Sequence, residues 1–419
     1  MKRILSTSLT VLLLSCFGGS SGLNDAKQVT GTVYAANGTD VIAGATIYIP
    51  TGSSSSPRLA PTRIRGLAAQ DGTACDDPVG ATCASACSGV EGTFTLDTSS
   101  CSGDEAKLTI VKGVFRKTID LNCSGGTTCA LTKNETTLIA GSGIDGTKIA
   151  VVAGAYDRMQ DVLAKLGYGT IDSNGNLTLE TETFTLFDGA GHLPSKYQIF
   201  DKLLDGTVDL NQFDIVFLNC GLFSESMLTQ TTVRSRLRSY VEAGGKIFAT
   251  DLSYDFIEQV FPEVMKFEGD PDDAFTPGAR DAAELGTKGD TVEATVNNTT
   301  MKDWLSGVKV NSGTTLEACD RSALQVNGTT GALNSDGTIH IGDLGEAWAE
   351  MHSAHTGQNP TIWIQGEIEE LTKRPLTVSM EIGTKGGKVL FTSYHTAENC
   401  PSAGFWPQER ILQYLVFEM

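Results

Sequence analysis

Residues 240–253 read YVEAGGKIFATDLS and place a helix end, a glycine pair, a buried strand and a turn in direct succession. Upstream of this stretch, apolar residues repeat at three- and four-residue spacing, which predicts an amphipathic helix over 231–243. Gly244 and Gly245 end that helix. The run Lys246–Thr250 is apolar enough for a strand that is covered on both faces. The stretch therefore predicts one helix–strand unit of a parallel α/β sheet.

The same alternation of buried strands and amphipathic helices recurs on both sides of this unit. Further strands are predicted at 148–153, 184–187, 213–219, 361–364, 376–380 and 388–393, and further helices at 158–166, 196–204 and 411–417. Asp157 is predicted to cap the helix at 158–166. Because parallel strands require crossover connections, we expect residues 145–419 to form a doubly wound, flavodoxin-like α/β sheet.

This second part resembles the class I glutamine amidotransferase-like fold, close to its trehalose-utilisation-type relatives. The residues that carry the resemblance are Phe213–Val216, Tyr240–Lys246 and Gly386–His395. The match covers about 148–260 and 385–419. The stretch at about 265–360 is acidic and rich in Gly and Asn, and it is predicted to be an insertion.

The resemblance implies a Cys nucleophile in a G-x-C-x-G turn after the fourth strand and a His-x-Glu pair after a late strand. Thr250–Ser253 stands at that turn and contains no Cys, and Cys220 comes one strand too early. His395 matches the family's His, but Glu398 follows it with two intervening residues instead of one. Since this chemistry requires a thiolate at a helix N-terminus, we predict that the protein is not an enzyme of this kind. The α/β part is then a degenerate scaffold with a binding or structural role.

Three residues at predicted strand ends support an alternative. Asp251, Asp255 and His395 lie where open α/β sheets bind their ligands. An Asp and a His at this edge would act as acid and base, or hold a metal, in a hydrolase or sugar-modifying enzyme. The structural interpretation is that Asp251 and Ser253 cap the next helix and that His395 hydrogen-bonds within its loop. No cofactor is predicted.

Two other segments contain candidate metal ligands. Asp270, Asp272 and Asp273 resemble part of a calcium loop, but they lack its residue order, and a solvated loop is the simpler interpretation. His352 and His355 would share a face suited to zinc if their segment were helical. The acidic residues beside this pair are Glu346 and Glu350.

Short alternating strands with glycine turns fill residues 27–136 and predict an antiparallel β-sandwich. The strands are predicted at 29–34, 41–49, 92–96, 108–115 and 118–121. The motif order resembles the carboxypeptidase regulatory-like (transthyretin-like) domain, an accessory folding or adhesion module. The matching segments are Gly31–Val33, Ile42–Ile47, Gly89–Leu96 and Lys107–Phe115. An insertion at about 50–88 is predicted to be a surface loop stapled by disulfides.

Residues 1–16 read MKRILSTSLTVLLLSC, a basic start followed by an apolar run too short to cross a hydrocarbon core of roughly 30 Å. The end of this signal peptide resembles a bacterial lipobox, in which Cys16 would be lipidated and become the mature N-terminus. An ordinary secretory peptide is the alternative. Residues 17–26 would form a flexible tether, and Phe17 resembles the residue found there in outer-membrane lipoproteins. The predicted location is the bacterial cell envelope, facing the periplasm or the cell surface, with the N-terminal lipid holding the protein at the membrane.

Six cysteines within a short stretch of an exported chain predict disulfides, with the pairings left open. They are Cys75, Cys83, Cys87, Cys101, Cys123 and Cys129. A zinc site that includes Cys83 and Cys87 is the alternative. Cys319 and Cys400 would pair in the second part, which leaves Cys220 over.

The charge distribution also divides the chain. The 419 residues contain 31 Lys+Arg and 50 Asp+Glu, a net charge of −19. Residues 1–136 hold equal numbers of both signs, so the excess lies in the second part and indicates a boundary near 137. So acidic a chain lacks the basic surface that nucleic-acid binding requires. The remaining candidate ligands are an envelope protein or a glycan, for which Trp348, Trp363 and Trp406 would form a sugar-binding edge if they are not core residues.

Overall fold

The computed structural model describes residues 23, 26–51, 67–78, 80–102, 107–123, 126–140, 146–270, 283–287, 291–308, 332–342, 344, 348–355, 359–368, 373–396 and 404–419. Several predicted features lie outside these ranges and stay predictions: the signal peptide with Cys16, most of the tether, and residues Asp272, Asp273, Cys319, Glu398 and Cys400. Among the described residues, no helix is both long and apolar enough to cross a membrane.

The first part consists of short strands in two main sheets. Its elements are β1 (Gln28–Thr32), β2 (Thr46–Pro50), β3 (Leu67–Ala68), β4 (Ala74–Cys75), β5 (Thr82–Cys87), β6 (Thr93–Asp97), β7 (Lys107–Lys112), β8 (Phe115–Asp120), β9 (Thr128–Ala130) and the short helix α1 (Lys133–Thr136). One sheet has the order β6-β1-β9 and the other the order β5-β2-β7-β8. All pairs in them are antiparallel except β1 with β9.

Three predictions for this part were wrong. The single strand predicted over 108–115 is two antiparallel strands, β7 and β8, joined by a turn at Gly113. The strand predicted over 41–49 begins only at Thr46, because Gly44 turns the chain with a φ of +65°. The segment predicted as a surface loop at 50–88 contributes β5, which pairs with β2 along its length.

Disulfides join the strands and turns of the first part, as predicted. Cys75 bonds to Cys87, Cys83 to Cys101, and Cys123 to Cys129. The first two bonds fasten β5 to β4 and to the turn after β6. The zinc alternative for Cys83 and Cys87 was wrong, because both sulfur atoms are used in disulfides.

The second part alternates strands and helices up to β14 and then becomes mostly strands. Its strands are β10 (Ile149–Ala153), β11 (Thr185–Asp188), β12 (Gln198–Ile199), β13 (Ile215–Leu218), β14 (Lys246–Thr250), β15 (Met265–Phe267), β16 (Val292–Val296), β17 (Thr338–Ile341), β18 (Met351–Ala354), β19 (Thr361–Gly366), β20 (Arg374–Ile382) and β21 (Gly387–Thr392). Its helices are α2 (Met159–Leu163), α3 (Asp201–Leu204), α4 (Thr231–Glu242), α5 (Asp255–Glu258), α6 (Thr299–Gly307) and α7 (Pro407–Glu418). A π-helical turn, Ala164–Tyr168, continues α2.

A ten-stranded sheet runs through the second part in the order β12-β11-β10-β13-β14-β21-β20-β19-β16-β17. The strands from β12 to β21 in this order are parallel, and the pairings from β21 onward are antiparallel. Strands β16 and β17 come from the segment predicted as an insertion, so that segment extends the sheet itself.

The two faces of this sheet pack against different partners. On one face, Val152 and Ala249 belong to a core with α4 and α5. On the other, Val151 and Phe248 belong to a core with α2 and α7, and that core continues into the first part of the chain around Phe115. Since alternate residues of a strand point to opposite faces, one run of apolar residues supplies both cores.

Helix α7 joins the two parts of the molecule. All of its residues are buried, including its charged ones. Lys165 and Glu409 form an ion pair with a 2.8 Å Nζ–Oε2 distance, and Arg410 pairs with Asp40 of the first part, also at 2.8 Å. Lys112 of the first part pairs with Glu418. Residues on both sides of the change in composition near 137 therefore belong to one core.

Candidate functional site

Three neighbouring parallel strands bring three titratable side chains to one point. Cys220 lies two residues after β13, Asp251 directly after β14, and His395 three residues after β21. Leu218 is aligned with Ala249, and Thr250 with Thr392, so the three chain segments leave the sheet side by side. Asp251 and His395 meet as the sequence predicted, with Cys220 as a third member that sequence reasoning had set aside.

Asp251 is the centre of this cluster. Its Oδ2 accepts a hydrogen bond from Cys220 Sγ at 3.4 Å and lies 3.6 Å from His395 Nε2. Its Oδ1 accepts from the backbone N–H of Ala349 at 2.9 Å. Asp251 has a φ of +44°, a left-handed conformation that is unusual for a residue other than Gly. The turn after β14 thus directs the carboxylate inward instead of along the following helix, and the predicted cap was wrong.

The orientation of His395 is set by its own loop. Its Nδ1 lies 2.8 Å from the carbonyl oxygen of Thr396, which can only accept, so Nδ1 carries the proton of the neutral ring. The backbone carbonyl of His395 in turn accepts from Gln408 Nε2 at 2.8 Å. In the neutral ring, the Nε2 lone pair therefore points toward Asp251.

A second buried carboxylate, Asp157, ties the strand ends together. Its Oδ1 accepts from the backbone N–H of Arg158 at 2.7 Å and from both the N–H and the hydroxyl of Thr396 at 2.9 and 2.8 Å. Its Oδ2 accepts from the hydroxyl of Thr250. Asp157 is thus a positioning residue that joins the end of β14 to the segment after His395. The prediction that it caps the helix was wrong, because the N-cap of α2 is Arg158.

A close approach of two loops holds Cys220 in place. A Cβ on Gly154 would lie 2.0 Å from the carbonyl oxygen of Cys220, so only glycine allows this contact. The thiol is buried, and burial together with the Asp251 charge raises its pKa well above the usual range. Without a metal, Cys220 is a neutral thiol and a poor nucleophile.

Burial governs the chemistry of the cluster. The exposed fraction is 1% for Cys220 and His395 and 0% for Asp251. Burial raises the pKa of Asp251 to about 7, against the opposing effect of the His395 charge. Ala349, which comes from the segment predicted as an insertion, contacts Asp251 through its backbone N–H. Asp251 and His395 are therefore an acid–base pair that is shielded from solvent in the described structure.

Asp255, the other strand-end candidate, lies apart from this cluster. It accepts a hydrogen bond from Gln259 Nε2 at 2.8 Å. Its charge, together with burial as the larger cause, raises the pKa of Glu225 to about 7. The two carboxylates form a separate acidic group, and the prediction that Asp255 joins Asp251 and His395 was wrong.

The remaining candidates are structural. Asp270 is buried and its Oδ2 accepts from the backbone N–H of Phe267 at 3.0 Å, which fits a turn and not the predicted solvated loop. His352 lies on strand β18, so the helical face that it was to share with His355 does not exist. The three tryptophans considered for a sugar-binding edge are buried in the core: Trp348, Trp363 and Trp406.

No protein family and no curated protein matches the chain. No family is therefore assigned. Among solved structures, a cold-adapted β-galactosidase from Rahnella sp. R3 aligns with 65% of this chain and 32% of its own, at 11% identity and a TM-score of 0.28. Gan42B, a GH42 β-galactosidase from G. stearothermophilus, aligns with 66% of this chain and 31% of its own, at 12% identity and a TM-score of 0.29. The chain spans about a third of the length of these enzymes, and a similarity this low assigns neither fold nor activity.

Proposed function

We propose that the protein is a lipid-anchored protein of the bacterial cell envelope with a non-catalytic binding role, and that its α/β part is a degenerate amidotransferase-like scaffold. The observation that supports this most directly is the burial of Asp251. Asp251 occupies the turn where the class I glutamine amidotransferase-like family, which the sequence resembles, carries its Cys nucleophile. Yet Asp251 is buried and accepts a hydrogen bond from the backbone of Ala349. A residue in that state stabilises a turn and contacts no substrate.

Exposed aromatic side chains beside the same strand ends support a binding role. Phe223, directly after Leu222 in the loop after β13, is 69% exposed, and its ring is 6.4 Å from that of His192. Tyr156, in the loop after β10, is 40% exposed. Exposed rings at the ligand-binding edge of an α/β sheet are typical contact residues. Since the chain is strongly acidic, a neutral glycan is a better match than an anionic ligand.

Binding and catalysis are separated in one experiment on the full chain, purified in detergent. We expect envelope glycan fragments to raise the thermal unfolding midpoint of the wild type and to have a much smaller effect on Phe223→Ala. We also expect no turnover of ester, amide or glycoside substrates above the level of Asp251→Asn. Turnover by the wild type that is lost in Asp251→Asn would instead support the hydrolase alternative.

The lipid anchor is tested by replacing its acceptor. Cys16→Ser is expected to abolish incorporation of a labelled fatty acid and to prevent lipoprotein maturation, because no other residue would carry the acyl chain. Cys220→Ser serves as the matched control, since its thiol is buried and should not affect acylation. The measurement is fatty-acid labelling followed by mass spectrometry of the mature N-terminus. A wild-type protein that incorporates no label would indicate an ordinary secretory peptide, and equal labelling of Cys16→Ser and the wild type would place the acyl chain on another residue.

A further inference from the structure

The cluster at the strand ends has the composition of a transition-metal site. Cys220, Asp251 and His395 contribute a thiol sulfur, a carboxylate oxygen and an imidazole nitrogen, and these atoms all lie within 4.8 Å of one another. Mixed S, O and N ligands of this kind suit Zn²⁺, a borderline-soft ion without redox chemistry.

Two of the three spacings between the ligand atoms match those around a tetrahedral ion. With Zn–S of about 2.3 Å and Zn–N or Zn–O of about 2.0–2.1 Å, neighbouring ligand atoms are about 3.3–3.6 Å apart. The observed distances are 3.4 Å from Cys220 Sγ to Asp251 Oδ2 and 3.6 Å from Asp251 Oδ2 to His395 Nε2. The second of these is long for a hydrogen bond but ordinary for two ligands of one ion.

Hydrogen bonds orient two of the three side chains, in the way that hydrogen bonds to metal ligands orient those ligands. His395 Nδ1 donates to the carbonyl of Thr396, which leaves Nε2 as the coordinating atom. Asp251 Oδ1 is held by the Ala349 N–H, which leaves Oδ2 to coordinate. These two hydrogen bonds, to Thr396 and from Ala349, therefore hold His395 Nε2 and Asp251 Oδ2 close to each other.

We infer that Cys220, Asp251 and His395 bind one zinc-class divalent cation, with a water molecule as the fourth ligand. Binding displaces the thiol proton of Cys220 to solvent, and no oxidant or reductant is required. The resulting thiolate and carboxylate balance the two charges of the ion in a buried environment. Such an ion would clamp β13, β14 and β21 together at their carboxyl ends. This inference concerns the ion alone and does not depend on the glycan-binding role.

Cobalt is the probe for the first test, because thiolate ligation of Co²⁺ gives a charge-transfer absorption in the near ultraviolet. The full chain in detergent, stripped with a chelator, is titrated with Co²⁺ and then with Zn²⁺. We expect the absorption to saturate at one equivalent of Co²⁺ and to disappear when Zn²⁺ replaces it. Folded wild-type protein that shows no such absorption would overturn the inference, whatever the variants do.

Variants identify the ligands. Cys220→Ser and His395→Ala are each expected to weaken binding by about 100-fold or more, since ligand loss exceeds the effect of outer contacts. His192→Ala, which removes an exposed imidazole, is the matched control and should bind as the wild type does. Zn²⁺ should also raise the thermal unfolding midpoint of the wild type and of His192→Ala but not of Cys220→Ser. Equal uptake by Cys220→Ser and the wild type would place the metal elsewhere and refute the site.

Discussion

Phe115→Ala is expected to lower the free energy of unfolding by about 3–5 kcal/mol, the usual cost of removing a buried aromatic ring. Phe115 is fully buried on β8, and its ring centroid lies 4.8 Å from that of Phe417 and 5.6 Å from that of Tyr168. Both partners belong to the second part of the chain. The substitution therefore opens a cavity where β8 meets α7. Urea unfolding, followed by far-UV circular dichroism and by tryptophan fluorescence, measures the loss.

The same experiment tests whether the shared core makes the molecule cooperative. The described tryptophans all lie in the second part, whereas circular dichroism reports on both parts. We expect the two signals of the wild type to coincide in one transition. Phe223→Ala removes the same side chain from an exposed site and should change stability by no more than about 0.5 kcal/mol. A loss below about 1 kcal/mol for Phe115→Ala would show that the two parts do not rely on this contact.

Glu409→Gln is expected to cost about 3–5 kcal/mol, because it leaves the buried ammonium group of Lys165 without its counter-charge. Only 5% of the Lys165 side chain and 4% of that of Glu409 are exposed. Gln keeps the acceptor for the backbone N–H of Trp406, which Glu409 Oε2 bonds at 3.0 Å, so the cap of α7 survives. The loss therefore reports the charge and not the cap. Chemical unfolding of both proteins at neutral pH gives the difference.

Two comparisons make this prediction specific. Asp120→Asn breaks the exposed pair of Lys107 and Asp120, whose side chains are 64% and 72% exposed, and should cost less than about 1 kcal/mol. Adding Lys165→Met to Glu409→Gln removes the unpaired ammonium group and should recover most of the lost stability. If the double variant is no more stable than Glu409→Gln, the cost does not arise from an uncompensated charge.

Strands with a strong local signal could be predicted from the sequence. The strand predicted at Lys246–Thr250 is found over the same residues. A short apolar run between a glycine pair and a turn is too short for a helix, so a buried strand was the expected structure. Helix α4 was predicted one residue too long. The helix predicted at 196–204 was wrong in its first half, which contains the two-residue edge strand β12 paired with Phe187 and Asp188. Only its second half is helical, as α3. The pairing of β12 is a tertiary contact, and nothing in the local spacing indicates it.

The candidate site could be predicted in part. His395 and Asp251 were placed at one edge because each follows a strand. Cys220 was set aside because it does not match the position of the family's nucleophile, although it follows the strand adjacent to β14 and so had to lie beside Asp251. A titratable residue within three positions of the end of each neighbouring parallel strand is the signal that would have found it. The contact of Ala349 with Asp251 could not be predicted from the sequence, because it depends on the tertiary fold of a segment that has no clear hydrophobic pattern.

The buried position of α7 also sets the order in which the molecule can fold. The strands of residues 28–130 pack against residues 407–418 at Phe115 and Lys112, although nearly 300 residues separate the two segments. Domains usually fold as they emerge from the ribosome, N-terminal parts first. Here the first part lacks some of its core contacts until α7 has been synthesised.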